Sequence, residues 1–340
     1  MRLRNLGQNP PLAICFDSTL QNASHIIQNN PQVAQTVISL QTRVLHRHGE
    51  AVLLRDIIAA CPNLADLSIM IATQRMLQHV ADLFEGQSFQ SLLSFRLYAG
   101  MIGFSGHDIE AATPQTILGS MPNLRHLSGF VMTEHDDESK SDVREANSAG
   151  GLLLETYQAV ELSDSSNEFL HSQLAVVATV QNLWITVADQ DAAEHLPRRV
   201  ASVISRSMHH LRSIKVVIGG YIPDYALRLP KALGTALALC TRLQSIELPC
   251  RVAQNVSHLF EILELVPPGL LTLTISECVE ELLHELPDVI PRMACLRTLR
   301  RMNLDGTRSR SDTVAMSRLR TACHTRRIIL KIVGRQLRLS

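Results

Sequence analysis

The sequence predicts an α/β leucine-rich-repeat solenoid, because one short apolar phrase returns at a nearly constant spacing. The phrase is apolar-x-x-apolar-x-apolar, as in Leu64-Leu67-Ile69 and Leu243-Ile246-Leu248. Its first positions are residues 64, 92, 124, 180, 211, 243, 270 and 296, so 232 residues span eight intervals of mean 29 when the gap of 56 counts as two. A fixed period of this length with an L-x-x-L-x-L core is typical of leucine-rich repeats.

Segments with helical periodicity precede these phrases, as at residues 53–61 and 256–263. A leading unit near residues 37–40 and a final unit at residues 319–332 bring the total to about ten helix–strand units. A helix in every unit favours a horseshoe, with parallel strands on the concave face and helices on the convex face.

The chain divides by pattern into two parts. Residues 1–20 carry no phrase and are expected to be weakly structured, while residues 21–340 form the solenoid. Within the solenoid, the polar and acidic stretch near 134–151 is interpreted as a disordered insertion, and residues 152–162 are expected to hold the degenerate repeat.

Composition limits the classes of function. Net formal charge is zero, which argues against a positive field that attracts polyanions. Aromatic residues are only 4%, which argues against a surface on which bases stack. Nucleic acid is therefore not the expected partner. No stretch is long enough to span a membrane, and the N-terminus lacks the apolar run of a signal peptide. The seven cysteines form no C-x-x-C pair and fit a reducing compartment, so we expect an intracellular protein, cytoplasmic or nuclear.

Strand alternation predicts which residues face a partner. Positions 3 and 5 of each phrase point opposite to the apolar positions 4 and 6. All but one of these residues are polar: Asp66/Ser68, Ser94/Arg96, His126/Ser128, Asn182/Trp184, Ser213/Lys215, Ser245/Glu247, Thr272/Thr274 and Thr298/Arg300. The candidate partner-binding residues are Asp66, Arg96, His126, Trp184, Lys215, Glu247 and Arg300.

Trp184 is the exception, and it is the only tryptophan in the chain. Tryptophan is enriched among binding hot spots. The alternative is that its ring packs under the acidic insertion or against neighbouring strand residues, since tryptophan is usually largely buried. A phrase shifted to Leu183-Ile185-Val187 also remains open, and it leaves Trp184 opposite the apolar set.

The motifs of enzyme chemistry are missing from the sequence. It contains no Walker loop, no G-x-G-x-x-G, no G-x-S-x-G and no H-E-x-x-H. The pairs His46/His48 and His209/His210 lack metal-site spacing. We therefore expect no catalytic, cofactor-binding or metal-binding residues, and a protein that is not an enzyme.

The amino-acid sequence of the repeats resembles the degenerate leucine-rich region of fungal F-box proteins. The resemblance lies in Ala60-Cys61-Pro62-Asn63-Leu64, in residues 121–127 (Met-Pro-Asn-Leu-Arg-His-Leu), and in residues 29–37, which are similar to the segment after the F-box. It implies a substrate-recognition scaffold whose F-box binds the adaptor of a cullin–RING ubiquitin ligase. Residues 1–30 lack the Leu-Pro-x-Glu-type helix that begins an F-box.

Three hypotheses follow. The chain is a substrate-recognition scaffold of that type, or a stand-alone interaction protein with no ligase link. In the third hypothesis, its Arg-rich end binds an acidic ligand or nucleic acid, since residues 292–340 hold thirteen Arg or Lys against only Asp305 and Asp312.

Overall fold

In the computed structural model, the described residues are 2–3, 12–15, 20–45, 47–71, 74–99, 117–128, 154–159, 179–187, 201, 204–205, 207–218, 228–250, 256–306 and 313–333. The chain divides into two compact units: unit 1 holds residues 1–160 and 164–176, and unit 2 holds residues 161–163 and 177–340. The insertion predicted near 134–151 lies outside the described residues.

Unit 1 is a sheet whose strands follow one another in chain order. Its elements are β1 (Arg2–Leu3), β2 (Leu12–Cys15), α1 (Leu20–Asn29), α2 (Pro31–Thr36), β3 (Val37–Leu45), α3 (His48–Ala60), β4 (Asp66–Ile71), α4 (Gln74–Phe84), β5 (Ser94–Ala99), β6 (His126–Ser128) and β7 (Thr156–Ala159). Strand β1 pairs with β2 in antiparallel fashion, and β2 to β7 pair in parallel.

Unit 2 repeats the same plan. Its elements are β8 (Asn182–Val187), β9 (Ser213–Ile218), α5 (Arg228–Ala238), β10 (Ser245–Pro249), α6 (Val256–Leu265), β11 (Thr272–Ser276), α7 (Glu280–Val289), a 3₁₀ turn (Cys295–Thr298), β12 (Arg301–Asp305), α8 (Thr313–Thr325) and β13 (Ile329–Val333). All neighbouring strands from β8 to β13 are parallel. The predicted α/β leucine-rich-repeat solenoid is confirmed.

The core consists of the apolar positions of the phrase. Leu67, Ile69, Leu273 and Ile275 at positions 4 and 6 are all fully buried, as is Leu270 at position 1. Helices of successive repeats pack side by side, α1 on α3 and α3 on α4 in unit 1, and α5 on α6 and α7 on α8 in unit 2. Each repeat therefore buries its apolar face between its own helix and its neighbours. Within the described residues, no helix has the length and apolarity needed to cross a membrane.

The backbone joins successive repeats where each strand begins. The carbonyl at position 2 accepts hydrogen bonds from two amides of the next repeat: the Ala65 carbonyl binds the amides of Leu93 and Ser94, both at 2.9 Å. The same contact recurs along both units. We call these acceptors the strand-start carbonyls: Ala65, Leu93, Arg125, Gln181, Arg212, Gln244 and Leu271.

The degenerate repeat lies where the sequence predicted it. Strand β7 pairs with β6 so that Tyr157 lies opposite Leu127, and Tyr157 and Leu154 are both buried. The phrase is thus Leu154-x-x-Tyr157, with tyrosine at position 4. A tyrosine there breaks the leucine pattern but fills the same core site, and burial raises its pKa far above the usual value.

The predicted register of the phrase beginning at Leu296 is wrong. Thr272 pairs with Arg301 and Thr274 with Asn303, so position 1 of this repeat is Leu299. Leu296 lies in the 3₁₀ turn and is buried there. In some repeats the residue three positions before position 1 is buried in the turn, as Cys61, Met121 and Cys240 are. Leu296 and Leu299 have the same spacing as positions 1 and 4, so the sequence pattern predicted a phrase that begins at Leu296.

Asparagine side chains connect the turns of unit 1. The Asn63 side-chain amide donates a 2.8 Å hydrogen bond to the carbonyl of Gln35 in the preceding repeat, and Asn123 makes an equal bond to the carbonyl of Gln90. Arg242 occupies the corresponding turn position in unit 2, between Thr241 and Leu243. The Pro-Asn turns thus help to hold successive repeats of unit 1 together.

We predict that Asn63→Ala lowers the free energy of unfolding by about 1 kcal/mol, the usual contribution of one such hydrogen bond. Urea unfolding followed by circular dichroism measures it. Arg242→Ala is the matched control at the same turn position, and a surface change of this kind costs less than about 0.5 kcal/mol. Equal losses in the two variants would contradict the role of the asparagine bond.

Candidate functional site

The side chains at positions 3 and 5 of the strands form one face of each unit's sheet, which we call the polar sheet face. In unit 1 its two rows are Ser39, Asp66, Ser94, His126, Thr156 and Gln41, Ser68, Arg96, Ser128. In unit 2 the rows are Asn182, Ser213, Ser245, Thr272, Arg301, Ile329 and Trp184, Lys215, Glu247, Thr274, Asn303, Lys331.

Asp66 and Arg96 form an ion pair on the polar sheet face of unit 1. The Asp66 Oδ2 atom accepts a hydrogen bond from Ser39 at 3.2 Å and lies 3.5 Å from the Arg96 guanidinium. Arg96 projects into solvent, with its side chain 47% exposed, while the flanking Ser68 and Ser128 are buried. His126 is exposed on the neighbouring row, next to Ser94. Arg96 and His126 are therefore exposed on this part of the polar sheet face, next to small polar residues.

The polar sheet face of unit 2 carries a chain of three side chains across three strands. The Lys215 Nζ atom lies 4.5 Å from the centroid of the Trp184 ring and 2.8 Å from Glu247 Oε1. Strand register explains the arrangement, because Trp184 pairs with Lys215 and Lys215 with Glu247. The ammonium is therefore held between an aromatic ring and a carboxylate.

Each contact to Lys215 is modest in energy. A partly exposed ion pair contributes about 0.2–1 kcal/mol, and a cation–π contact contributes about 0.5–1 kcal/mol. Their main effect is to fix the position of the ammonium and the Trp184 ring. A fixed aromatic ring loses little entropy when a partner covers it, which favours binding.

The structure settles how Trp184 packs. Leu183 and Ile185 pair with the buried Ile214 and Val216, so the phrase begins at Val180 and is not shifted. Trp184 is partly buried and packs against a residue of the neighbouring strand, as the alternative held. Its indole nitrogen is shielded from solvent and has no hydrogen-bond partner among the described residues. Whether Trp184 contacts a partner stays a prediction.

The predicted site residues are divided between the two units. Asp66, Arg96 and His126 lie on the polar sheet face of unit 1, and Trp184, Lys215 and Glu247 on that of unit 2. Arg300 is outside the rows: it is an exposed residue at position 2, just before β12, and its place at position 5 belongs to Asn303.

Sequence reasoning missed Asn303, whose side-chain amide donates a 2.9 Å hydrogen bond to Thr274 Oγ1. It also missed Arg301, the residue at position 3 of the same strand. The signal was available in the spacing, since Leu299 follows Leu270 by 29 residues, the mean period. Choosing Leu299 as position 1 would have assigned both residues to the face.

The thiols of the cysteines whose side chains the structure describes are poor nucleophiles. Burial raises the pKa of Cys61, Cys240, Cys295 and Cys323 to about 11 each. Burial, with the nearby Cys250 as a lesser cause, raises the pKa of Cys278 to about 12. These thiols stay protonated at neutral pH and act as small apolar residues. Within the described residues, no group of three or more His, Cys, Asp or Glu is placed to hold a metal ion.

Comparison with known proteins supports the fold. No family model matches the sequence, and no curated protein matches it. Among solved structures, the leucine-rich repeat-containing protein LegL7 from Legionella pneumophila is similar with a TM-score of 0.50 at 11% identity, over 95% of this chain and 89% of that chain. A protein from Bacteroides fragilis is similar with a TM-score of 0.46 at 15% identity, over 92% of this chain and 81% of that chain. The likeness to LegL7 extends to the fold alone, a leucine-rich-repeat fold.

We predict that Trp184 and Lys215 stabilise each other by about 0.5–1 kcal/mol, since the ammonium lies over the indole ring at a partly exposed site. A double-mutant cycle of Trp184→Leu and Lys215→Met, measured by urea unfolding, gives this coupling energy. In the control cycle, Glu261→Gln on helix α6 replaces Lys215→Met and should give no coupling. A coupling near zero in the first cycle would contradict the contact.

We predict slow alkylation of Cys61, Cys240, Cys295 and Cys323 in the folded protein. A rise in pKa from 9.0 to about 11 leaves about a hundredfold less thiolate at pH 8 than in the unfolded chain. Iodoacetamide labelling at pH 8, read by mass spectrometry at each cysteine, compares folded protein with protein in urea. Equal labelling rates in the two states would show that these thiols are not buried.

Proposed function

We propose that the protein is a non-catalytic protein-interaction scaffold that binds its partner on the polar sheet face. The observation that carries this proposal is the Trp184–Lys215–Glu247 chain, which holds a partly exposed aromatic ring next to paired charges. Binding hot spots favour such aromatic residues surrounded by polar side chains. The leucine-rich-repeat fold supports the same role, since solenoids present extended surfaces to their partners.

In unit 2 the proposal places the binding energy around Trp184. In unit 1, taken by itself, it assigns Asp66, Arg96 and His126 to partner contacts on that unit's polar sheet face. The charged residues of both units act mainly on association rate and specificity. In this proposal, the loss of the indole ring costs more affinity than the loss of any one charge.

A photo-crosslinking experiment tests the location of the surface. The crosslinker benzoylphenylalanine replaces Thr274 on the polar sheet face, and in the matched control it replaces Glu261, which is exposed on helix α6. We expect a partner to be crosslinked in native cells from position 274 and not from position 261. Crosslinking from position 261 alone would place the interaction on the helices and overturn the proposal.

Once a partner has been identified, we predict that Trp184→Ala weakens binding of that partner by at least about 2 kcal/mol, or about thirtyfold, as expected of a hot spot. Isothermal titration calorimetry measures the change. Lys231→Ala, at an exposed position on α5, is the control and should leave affinity unchanged. Unchanged affinity in Trp184→Ala would remove this residue from the interface.

We propose, more narrowly, that the scaffold selects substrates for a cullin–RING ubiquitin ligase. What supports this is the resemblance of most of residues 20–335 to the repeats of fungal F-box proteins. The free cysteines fit the intracellular location that the role requires. A stand-alone scaffold is the alternative. Affinity purification of the tagged chain distinguishes the two: recovery of the adaptor and cullin supports the ligase link, and partners recovered without the adaptor support the alternative.

A further inference from the structure

A second feature of unit 2 lies at the edge of the sheet where the strands begin. The segments between helix end and strand start are 208–213, 239–245, 266–272, 290–301 and 326–329, and none of them contains an acidic residue. They contain eight arginines, all exposed. We call this set the arginine edge: Arg212, Arg242, Arg292, Arg297, Arg300, Arg301, Arg326 and Arg327.

The arginine edge is unlike its counterpart in unit 1. The equivalent turns of unit 1 mix both signs, with Arg125 paired to Glu155 at 3.0 Å and with Asp66 and Glu85 close in sequence to the turns. No ion pair is formed by the arginine edge within the described residues. The acidic helix residues closest in sequence to the edge segments are Glu264 and Asp288, and Asp288 is already bound by Arg318 at 3.0 Å. The positive charge of the edge is therefore largely uncompensated.

Helix stability does not account for this charge. Helices α5 to α8 end on the same side as the strands begin, and a positive residue near a helix C-terminus is favourable. Arg326, for example, donates a 2.9 Å hydrogen bond to the carbonyl of Pro291. Each helix end carries only about half a negative charge, so four ends offset about two of the eight arginines. Arg297 lies in the 3₁₀ turn, and Arg300 and Arg301 lie at the start of β12, so none of these three is at the end of an α-helix.

The dimensions fit an extended polypeptide. Strands β9 to β13 are hydrogen-bonded neighbours about 4.8 Å apart, so the edge is about 19 Å long, the length of about six extended residues. Carboxylates bind guanidinium groups in bidentate pairs. Two exposed apolar side chains, Leu239 and Ile329, lie beside the arginines and can contact apolar residues of such a polypeptide.

We propose that the arginine edge binds an acidic polypeptide segment that also carries apolar side chains. A nucleic acid fits less well, because the five edge segments contain no Phe, Tyr or Trp on which bases could stack. The edge is distinct from the Trp184 cluster, and only Arg301 belongs both to it and to the polar sheet face. The inference therefore goes beyond the scaffold function proposed above and does not depend on it.

Fluorescence anisotropy with the full chain tests the proposal. The probe is a labelled twelve-residue peptide of ten glutamates and two leucines, compared with a single-stranded RNA of twelve nucleotides and a DNA duplex of twelve base pairs carrying the same label. We expect the peptide to bind more tightly than either nucleic acid, with an affinity that falls as salt is raised. Tighter binding of RNA or DNA, or no binding of the peptide at low salt, would overturn the proposal.

Matched charge variants locate the site. The edge variant Arg297→Gln/Arg300→Gln/Arg301→Gln should weaken peptide binding at least tenfold. The control variant Arg47→Gln/Lys231→Gln/Arg320→Gln removes the same charge from exposed positions outside the edge and should change peptide binding less than twofold. Equal weakening by the two variants would show general attraction to positive charge and overturn the proposal.

Two further variants keep the test decisive. If circular dichroism shows that the edge variant does not fold, Arg212→Gln/Arg242→Gln removes charge from two other strand starts and should weaken binding at least threefold. Trp184→Ala should leave peptide binding unchanged, because the indole ring lies outside the arginine edge. Loss of peptide binding in Trp184→Ala would assign the peptide to the polar sheet face and contradict a separate site.

Discussion

The double hydrogen bond at each strand-start carbonyl is the interaction on which the rest of the structure depends. One carbonyl accepts two amides of the next repeat, at 2.8–3.1 Å, in three successive repeats of unit 1 and in four of unit 2. Because the bond involves only backbone atoms, it tolerates any side chain at position 2, from Ala65 to Arg212. It fixes the register of each strand against the last, and register decides which face every side chain occupies.

Both candidate surfaces follow from that register. Positions 3 and 5 are brought into rows, so that Lys215 lies between Trp184 and Glu247 although 31 and 32 residues separate the three in sequence. The turns before the strands are aligned by the same bonds, and this gathers the arginines of unit 2 along one edge. A repeat protein can therefore build a surface from residues that are far apart in the chain.

The fold was predictable because the core requires a buried apolar side chain at the same positions of every repeat, with a nearly constant spacing. Strand positions such as Asp66/Ser68 and Ser245/Glu247 follow directly from the phrase. The predicted register was wrong at Leu296, because this turn residue is as apolar as the residue at position 1. The leucine pattern is interrupted at Tyr157, because a tyrosine side chain fills the core site that leucine fills in other repeats. The contact of Lys215 with both of its neighbours was beyond sequence reasoning, because it depends on rotamers and on the distance between strands.

Amide hydrogen exchange read by mass spectrometry tests the central claim most directly. If the strand-start carbonyls lock successive repeats together, the amides of Leu93, Ser94, Gln244 and Ser245 are strongly protected and exchange only when their unit opens. Protection at these amides, alongside rapid exchange at exposed turn residues such as Gly86, is the predicted result. Exchange at the rate of an unfolded peptide at those four amides would show that the repeats are not held in this register, and the account of both surfaces would fail.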